Sequence, residues 1–341
     1  MLFKLVIASL WSRKAMALLT CTSIAISMFV LIGVEQLRTQ VKENFERTVS
    51  GVDLIVGSRT SSINLLLFSI FKIGNASNNI QWQTYQNFAD HPYVDWSVPL
   101  SMGDSHKGFS VIGTTTDYFE YFKYANKSSL SFSQGQPFSR LYQVVVGAEL
   151  AKKLGYNAGD KLILSHGTGK VSFSHHDDHP FTVVGVLQAT GTPVDQSLYI
   201  PLQSVDILHS HQEVHDELLS TVPVGQNSSP QLSAFLLGSN NKLGLLKLQR
   251  DINQYTSEPL SAILPLVALR ELWQVVSAVE VSLKLISWLI LVTALICMMT
   301  MLLASMKERS RELAVLRALG AKAYVIITML VLEAILLTVA G

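Results

Sequence analysis

Three stretches of the chain are almost free of charge, and they set its organisation. Residues 15–34 read AMALLTCTSIAISMFVLIGV and residues 285–306 read LISWLILVTALICMMTMLLASM, with no charged side chain in either. A third run, AYVIITMLVLEAILLTVAG at 323–341, carries only Glu333. The first two are long enough to cross a hydrocarbon core of about 30 Å at about 1.5 Å per helical residue. The pattern predicts transmembrane helices at 15–35, 285–306 and 323–341, the third cut short at Gly341. Glu333 is the kind of residue that ordinarily faces a helix bundle rather than lipid. The first run is too long for a signal-peptide core, and EQLRTQVKENFER follows where a cleavage site would stand, so an uncleaved anchor is expected.

Between the spans the periodicity changes. EQLRTQVKENFERTVSG has helical spacing with mixed charge and reads as a stalk continuing the first span; LPLVALRELWQVVSAVEVSLK (264–284) reads as a second stalk leading into the second. VDLIVGSR (52–59), KGFSVIGTT (107–115) and QLSAFLLGS (231–239) are rich in β-branched and apolar residues and end in turn formers, so they predict strands. Residues 142–167 predict strand, helix, turn and strand, with Gly155 and Gly159 at the breaks. Residues 179–208 predict a strand, a Gly-Thr-Pro turn and a strand entering a helix, and 241–255 an amphipathic helix. The fold class expected is a membrane protein, with α-helical transmembrane segments and stalk helices plus a large mixed α/β domain over 36–284.

Charge then fixes orientation. Lys4, Arg13 and Lys14 precede the first span, and Lys307, Arg309, Arg311, Arg317 and Lys322 follow the second. Short basic flanks stay in the cytoplasm, which puts residues 36–284 outside it, in the periplasm of a bacterium. Residues 1–14 read as a cytoplasmic amphipathic helix. With 26 basic and 25 acidic side chains in 341 residues, the balance makes no electrostatic case for nucleic acid. Cys21 and Cys297 both fall in predicted spans and give no disulfide framework.

Catalytic chemistry is not visible. HGTGKV (166–171) lacks the full phosphate-loop spacing and its strand-to-helix context, and no nucleophile elbow or carboxylate pair is present. Two histidine-rich segments stand out: His175, His176 and His179 with Asp177 and Asp178, and His209, His211 and His215. Polar surface loops have this composition, but imidazole and carboxylate are also the usual zinc ligands. Two readings stay open, polar surface loops or a weak or transfer site for zinc on these residues, and no spacing matches a closed four-ligand motif.

The remaining feature is KERSRELAVLRALGAK at 307–322, a mixed-charge strip between two apolar runs. It predicts a short helix, with Leu313, Leu316 and Leu319 toward one side, that Gly320 terminates. Charges of both signs at close spacing suit a protein surface better than an anionic bilayer. ERSRELAVLRALGA resembles the signature of the FtsX/MacB-like ABC transporter permeases, an Arg-Glu-hydrophobic-x-x-Leu-Arg-x-x-Gly-Ala stretch matched by Arg311, Glu312, Leu316, Arg317, Gly320 and Ala321. VVVGAELAKKLGYNAGDKLIL and FTVVGVL are similar to segments of the family's outer domain, and the order of spans agrees over nearly the whole chain.

The resemblance implies a mechanotransmission permease of the inner membrane, non-catalytic itself and paired as a homodimer or with a sister permease. A separate cytoplasmic ATPase would carry ATP and Mg. Residues 307–322 would be the coupling helix, with Glu308, Arg309, Arg311, Glu312, Leu316, Arg317 and Gly320 at the ATPase surface. The cargo would be an envelope substrate: a lipoprotein, a peptide, a drug or a metal-linked molecule, with a periplasmic or outer-membrane partner and contacts to membrane lipid. An alternative within the family is an ATPase-coupled regulator of a periplasmic enzyme such as a cell-wall hydrolase, although regulatory members usually carry a smaller outer domain. An ATPase-independent sensor would leave the coupling-helix match unexplained.

Overall fold

The computed structural model describes residues 11, 14–49, 51–125, 127–166, 180–210, 230–308, 314, 318 and 323–340. It divides into two units: Met1–Val41 with Val275–Gly341, and Lys42–Gln274. The boundary falls within two long helices, α1 (Lys14–Thr48) and a later one at Pro265–Glu308.

In the second unit, β1 (Leu54–Ser58), α2 (Ser62–Ser69) and α3 (Trp82–Ala89) lead to the long β2 (Trp96–His106). β3 (Phe109–Thr114) returns beside it and α4 (Asp117–Tyr121) follows, with β4 (Lys123–Tyr124) and β5 (Ser128–Ser129) forming a separate ribbon. Next come β6 (Phe132–Gly135), β7 (Gln143–Val146), α5 (Ala148–Leu154), β8 (Lys161–Leu162), β9 (Ser165–His166) and β10 (Phe181–Leu187). A 3-10 turn at Pro193–Gln196 enters β11 (Ser197–Pro201) and α6 (Leu202–Ser210). β12 (Ala234–Gly238), α7 (Lys242–Asn253) and β13 (Leu260–Ile263) close the domain. The long helix Pro265–Glu308 is α8, and Ala323–Ala340 is α9.

One 11-stranded sheet runs β13-β1-β12-β2-β3-β11-β7-β10-β6, with β8 on β10 and β9 on β2. β3–β11 and β7–β10 are parallel pairs, and the other pairings are antiparallel. A parallel pair needs a crossover, and between β7 and β10 the chain passes through α5. β2 joins the two halves of the sheet: residues 96–100 pair with β12, and β3 takes over from Ser101.

Strand side chains alternate between faces, and here both faces are covered. Ile55, Leu236, Val145 and Tyr199 enter one core with Leu66, Leu100 and Ile112. Their neighbours face the other way. Leu54, Val56, Phe235 and Leu237 pack with Leu245, Leu248 and Ile252 of α7, and Val144, Val146, Leu198 and Ile200 pack with Leu150 of α5. Two-sided burial is why LIV, VVV and LYI read as continuous apolar runs rather than alternating ones.

The β10–β11 connection is held by Asp195, which is 5% exposed. Its carboxylate accepts from Thr190 N at 2.9 and 3.0 Å, from Thr190 Oγ1 at 2.8 Å and from Gly191 N at 2.8 Å. Gly147 runs against this turn, and a Cβ there would lie 2.4 Å from Val194 O and 2.5 Å from Asp195 O. Only glycine fits that approach.

The predicted strands at 52–59, 107–115, 179–208 and 231–239 all appear, shortened at their ends, and the helix predicted at 241–255 is α7. Gly155 caps α5 in the left-handed region at φ 75°. β2 was not predicted, because Pro99 interrupts it. The proline is tolerated where only one neighbour is paired: Pro99 faces Phe235 of β12, and the β3 ladder begins at Ser101. The second stalk and second span are one continuous helix, α8.

Candidate functional site

The two stalks expected from the sequence are the domain-side ends of α1 and α8. Ala17–Thr48 and Pro265–Thr300 are each long and apolar enough to cross a membrane, by length and composition. Within the first unit their polar ends are tied. Arg38 Nε donates to Glu280 Oε1 at 2.7 Å, and Arg38 Nη1 to Glu35 Oε1 at 3.0 Å. One guanidinium thus bridges a carboxylate on its own helix, one turn away, and a carboxylate of α8. Arg presents several N–H donors in a fixed fork, which lets a single side chain hold two acceptors. Glu280 is the more enclosed carboxylate, with its side chain 21% exposed against 53% for Glu35.

In the second unit the same two helices end inside the first core. Val49, Ala268 and Leu269 are fully buried, and Phe45, Leu272 and Trp273 pack against them. Phe45 stacks on Phe71 with ring centroids 4.3 Å apart and meets Trp273 edge-on at 5.7 Å. Aromatic pairs of this kind contribute about 0.5–1.5 kcal/mol beyond the area they bury. Ala125 N donates to Arg47 O at 2.7 Å, so the end of α1 is also hydrogen-bonded to the loop between β4 and β5. A Cβ on Gly51 would lie 2.5 Å from Lys123 O, which lets the backbone after α1 run directly against β4. The helix ends are therefore part of the sheet's core rather than appended to it.

The sequence-predicted residues fall mostly elsewhere. Glu308 is the last residue of α8; Arg309, Arg311, Glu312, Leu316, Arg317 and Gly320 lie outside the described residues. So do His175, His176, Asp177, Asp178, His179, His211 and His215, while the backbone of His209 is in α6. Most of the amphipathic segment 1–14 is likewise outside them. Among the described residues no group of three His, Cys, Asp or Glu is placed to hold a metal ion.

A histidine that the sequence reading did not single out is well placed. His106 is 4% exposed; its Nδ1 donates to Ile163 O at 2.7 Å, and its Nε2 accepts from the Tyr156 hydroxyl at 2.8 Å. Burial and the neighbouring Lys107 charge lower its pKa, against the raising effect of the Ile163 carbonyl. It is a neutral cross-brace between the end of β2 and the strand region after α5. Arg38 and Glu280 were also missed as a pair, because 242 residues separate them and each alone is an ordinary stalk charge.

Two helices long and apolar enough to cross a membrane therefore end within the core of a mixed α/β domain. The family comparisons make this specific. The family described as the MacB-like periplasmic core domain matches residues 17–229, and the FtsX-like permease C-terminal family matches 284–341. The chain belongs to the FtsX/MacB-like ABC transporter permeases. Permeases of this family are inner-membrane proteins with a periplasmic domain, generally non-catalytic, that work with a cytoplasmic ABC ATPase. No curated protein sequence matches the chain. Among solved structures it is similar to the periplasmic region of MacB from Actinobacillus actinomycetemcomitans, at 11% identity and TM-score 0.42, covering 67% of this chain and 97% of that one. It is also similar to the extracellular domain of the noncanonic ABC-type transporter YknZ from Gram-positive bacteria, at 13% identity and TM-score 0.37, covering 62% and 98%.

Proposed function

We propose that this chain is the permease subunit that converts ATP hydrolysis by a separate cytoplasmic ATPase into movement of its periplasmic domain against an envelope substrate. The observation that carries the reading is the continuity of α1 and α8. Each contains a membrane-length apolar stretch, and each ends with side chains in the first core, Phe45 and Val49 from one and Ala268, Leu269 and Trp273 from the other. An α-helix keeps its length because its backbone hydrogen bonds are internal, so displacing one end displaces the other. Arg38 and Glu280 keep the two helices together where no sheet holds them.

On this reading the 307–322 strip is the coupling helix. Arg311, Glu312 and Arg317 make its charged contacts with the ATPase, which holds ATP and Mg. The spans at 15–35, 285–306 and 323–341 cross the inner membrane, and the permease acts as a pair, with itself or a sister chain. Few charged groups occur in the spans to line a hydrophilic path, which favours cargo handled in the periplasm. Reversing the charge of Glu312 (Glu312→Arg) or of Arg317 (Arg317→Glu) in the reconstituted complex should lower ATPase coupling while expression and membrane insertion hold. Wild-type coupling in both variants would remove the strip from the proposal.

A further inference from the structure

A cavity of about 300 Å³ lies in the second unit between the loop after α2 and the middle of β2, and it is lined by Phe68, Lys72, Asn75, Asn79, Met102 and Asp104 among others. Small-molecule sites run from about 300 to 1,000 Å³, so this one suits a small ligand. Its notable wall residue is Lys72. The residue is half-buried, and its ammonium end packs on neutral protein groups. Nζ donates to the Ser69 carbonyl and lies 3.8 Å from Met102 Sδ, a weak acceptor. Among the described residues no carboxylate is within ion-pair distance of it.

An ammonium has three donors and one full charge, and enclosing it without an anion is costly. The chain places it there at a further cost: Lys72 has φ 61°, in the left-handed region that a long side chain rarely adopts. A backbone of this kind persists where surrounding structure imposes it, often at ligand sites. Desolvation brings the Lys72 pKa down to about 7, as expected for a cation lacking its counter-charge. The rest of the wall narrows the choice of ligand. Phe68 and Met102 offer an apolar surface beside the ammonium. Inorganic phosphate has no apolar body to lay against them, whereas a carboxylate on a partly apolar molecule uses both the ammonium and that surface.

We infer that the cavity beside Lys72 is a binding site for one carboxylate group carried on a small, partly apolar molecule, with the carboxylate on Lys72 Nζ and the apolar body against Phe68 and Met102. The site lies wholly within the second unit, and it stands or falls independently of the ATPase reading.

The test is a calorimetric titration of the full chain in an uncharged maltoside detergent, without ATPase or nucleotide. N-acetyl-leucine serves as the probe, with N-acetyl-leucinamide and inorganic phosphate as comparisons. Wild-type protein should bind N-acetyl-leucine; the neutral amide and phosphate should bind at least about tenfold more weakly. Lys72→Met should lose about tenfold or more in affinity for the carboxylate while its thermal transition is retained, and Lys72→Arg should keep most of it. As a second measurement, N-acetyl-leucine should protect Lys72 from acetylation, read by mass spectrometry, and leave Lys153 unprotected. No binding to wild-type protein, equal binding by Lys72→Met, or equal binding of the amide would overturn the site. Phosphate binding as tightly as the carboxylate would overturn the assignment of the ligand.

Discussion

Phe29 and Phe235 are the same side chain in opposite surroundings. Phe29, on α1 in the first unit, is 79% exposed, and Leu19 and Trp288 are similarly uncovered at 65% and 67%. Phe235, on β12 of the sheet, is fully buried in the core it shares with Leu54, Val56 and Leu237. In water an arrangement like that of the first unit would forfeit most of the hydrophobic contribution to stability. In lipid it forfeits little, because acyl chains cover the side chains as well as protein would. The buried residues of the spans are correspondingly small or polar: Ser27, Ser287 and Ala294 join Ile24. The hydroxyls of Ser27 and Ser287 are satisfied by their own helices, through Ser23 O at 2.7 Å and Leu283 O at 2.9 Å. The difference teaches that the domain buries its own apolar side chains, whereas the apolar stretches of the helices leave theirs to their surroundings.

Truncation of the two phenylalanines should break that comparison if it is wrong. Phe235→Ala is expected to destabilise the domain by about 3–5 kcal/mol, whereas Phe29→Ala should change the same denaturation midpoint by well under 1 kcal/mol in a micelle. Equal costs, measured by thermal unfolding of the full chain, would mean that α1 is packed like a core. Next in size is Asp195→Ala, which leaves the buried Thr190 N and Oγ1 without their carboxylate acceptor. A cost of about 1–3 kcal/mol per stranded donor is the usual range, so a loss of a few kcal/mol is expected, confined to the domain. Unfolding monitored by amide exchange on either side of β10 checks it.

The smallest effect concerns pH. Lys72 titrates near 7 in the folded domain and near 10.5 when unfolded, so over that window the unfolded chain binds more protons. Wild-type stability should therefore rise between about pH 7 and pH 10 through this residue, and Lys72→Met should flatten that part of the curve. Exposure of the Lys72 stem will reduce the effect by solvent screening. Parallel denaturant titrations at several pH values would reveal it, and an unchanged slope in the variant would assign the pH dependence to other groups.

Most of the domain was legible because its strands are buried on both faces and read as apolar runs bounded by Gly, Pro and Asn. β2 was not legible, since Pro99 and the polar stretch SMGDSH (101–106) look like a loop until β12, β3 and β9 supply its partners. Short helices such as α2, SINLLLFS, were hidden for a related reason: eight residues do not display a period. The apolar stretches of α1 and α8 were legible from the absence of charge along them. Arg38 with Glu280 was not, because an ion pair across 242 residues leaves no local pattern. Lys72 was equally hidden, its character arising from enclosure and from a backbone conformation that sequence does not specify for lysine.

The central claim is that α1 and α8 transmit motion together, and it can be tested by joining them. In a chain with Cys21 and Cys297 replaced by serine, cysteines at positions 38 and 280 would be linked by a short bis-maleimide and the complex reconstituted with its ATPase. Helices that move as one lose nothing by being joined: the double-cysteine chain, which lacks the Arg38–Glu280 pair, should couple less ATP turnover than its parent before linking and regain it once linked, while each single-cysteine variant treated in the same way does not regain it. Turnover that falls when the helices are linked would contradict the claim.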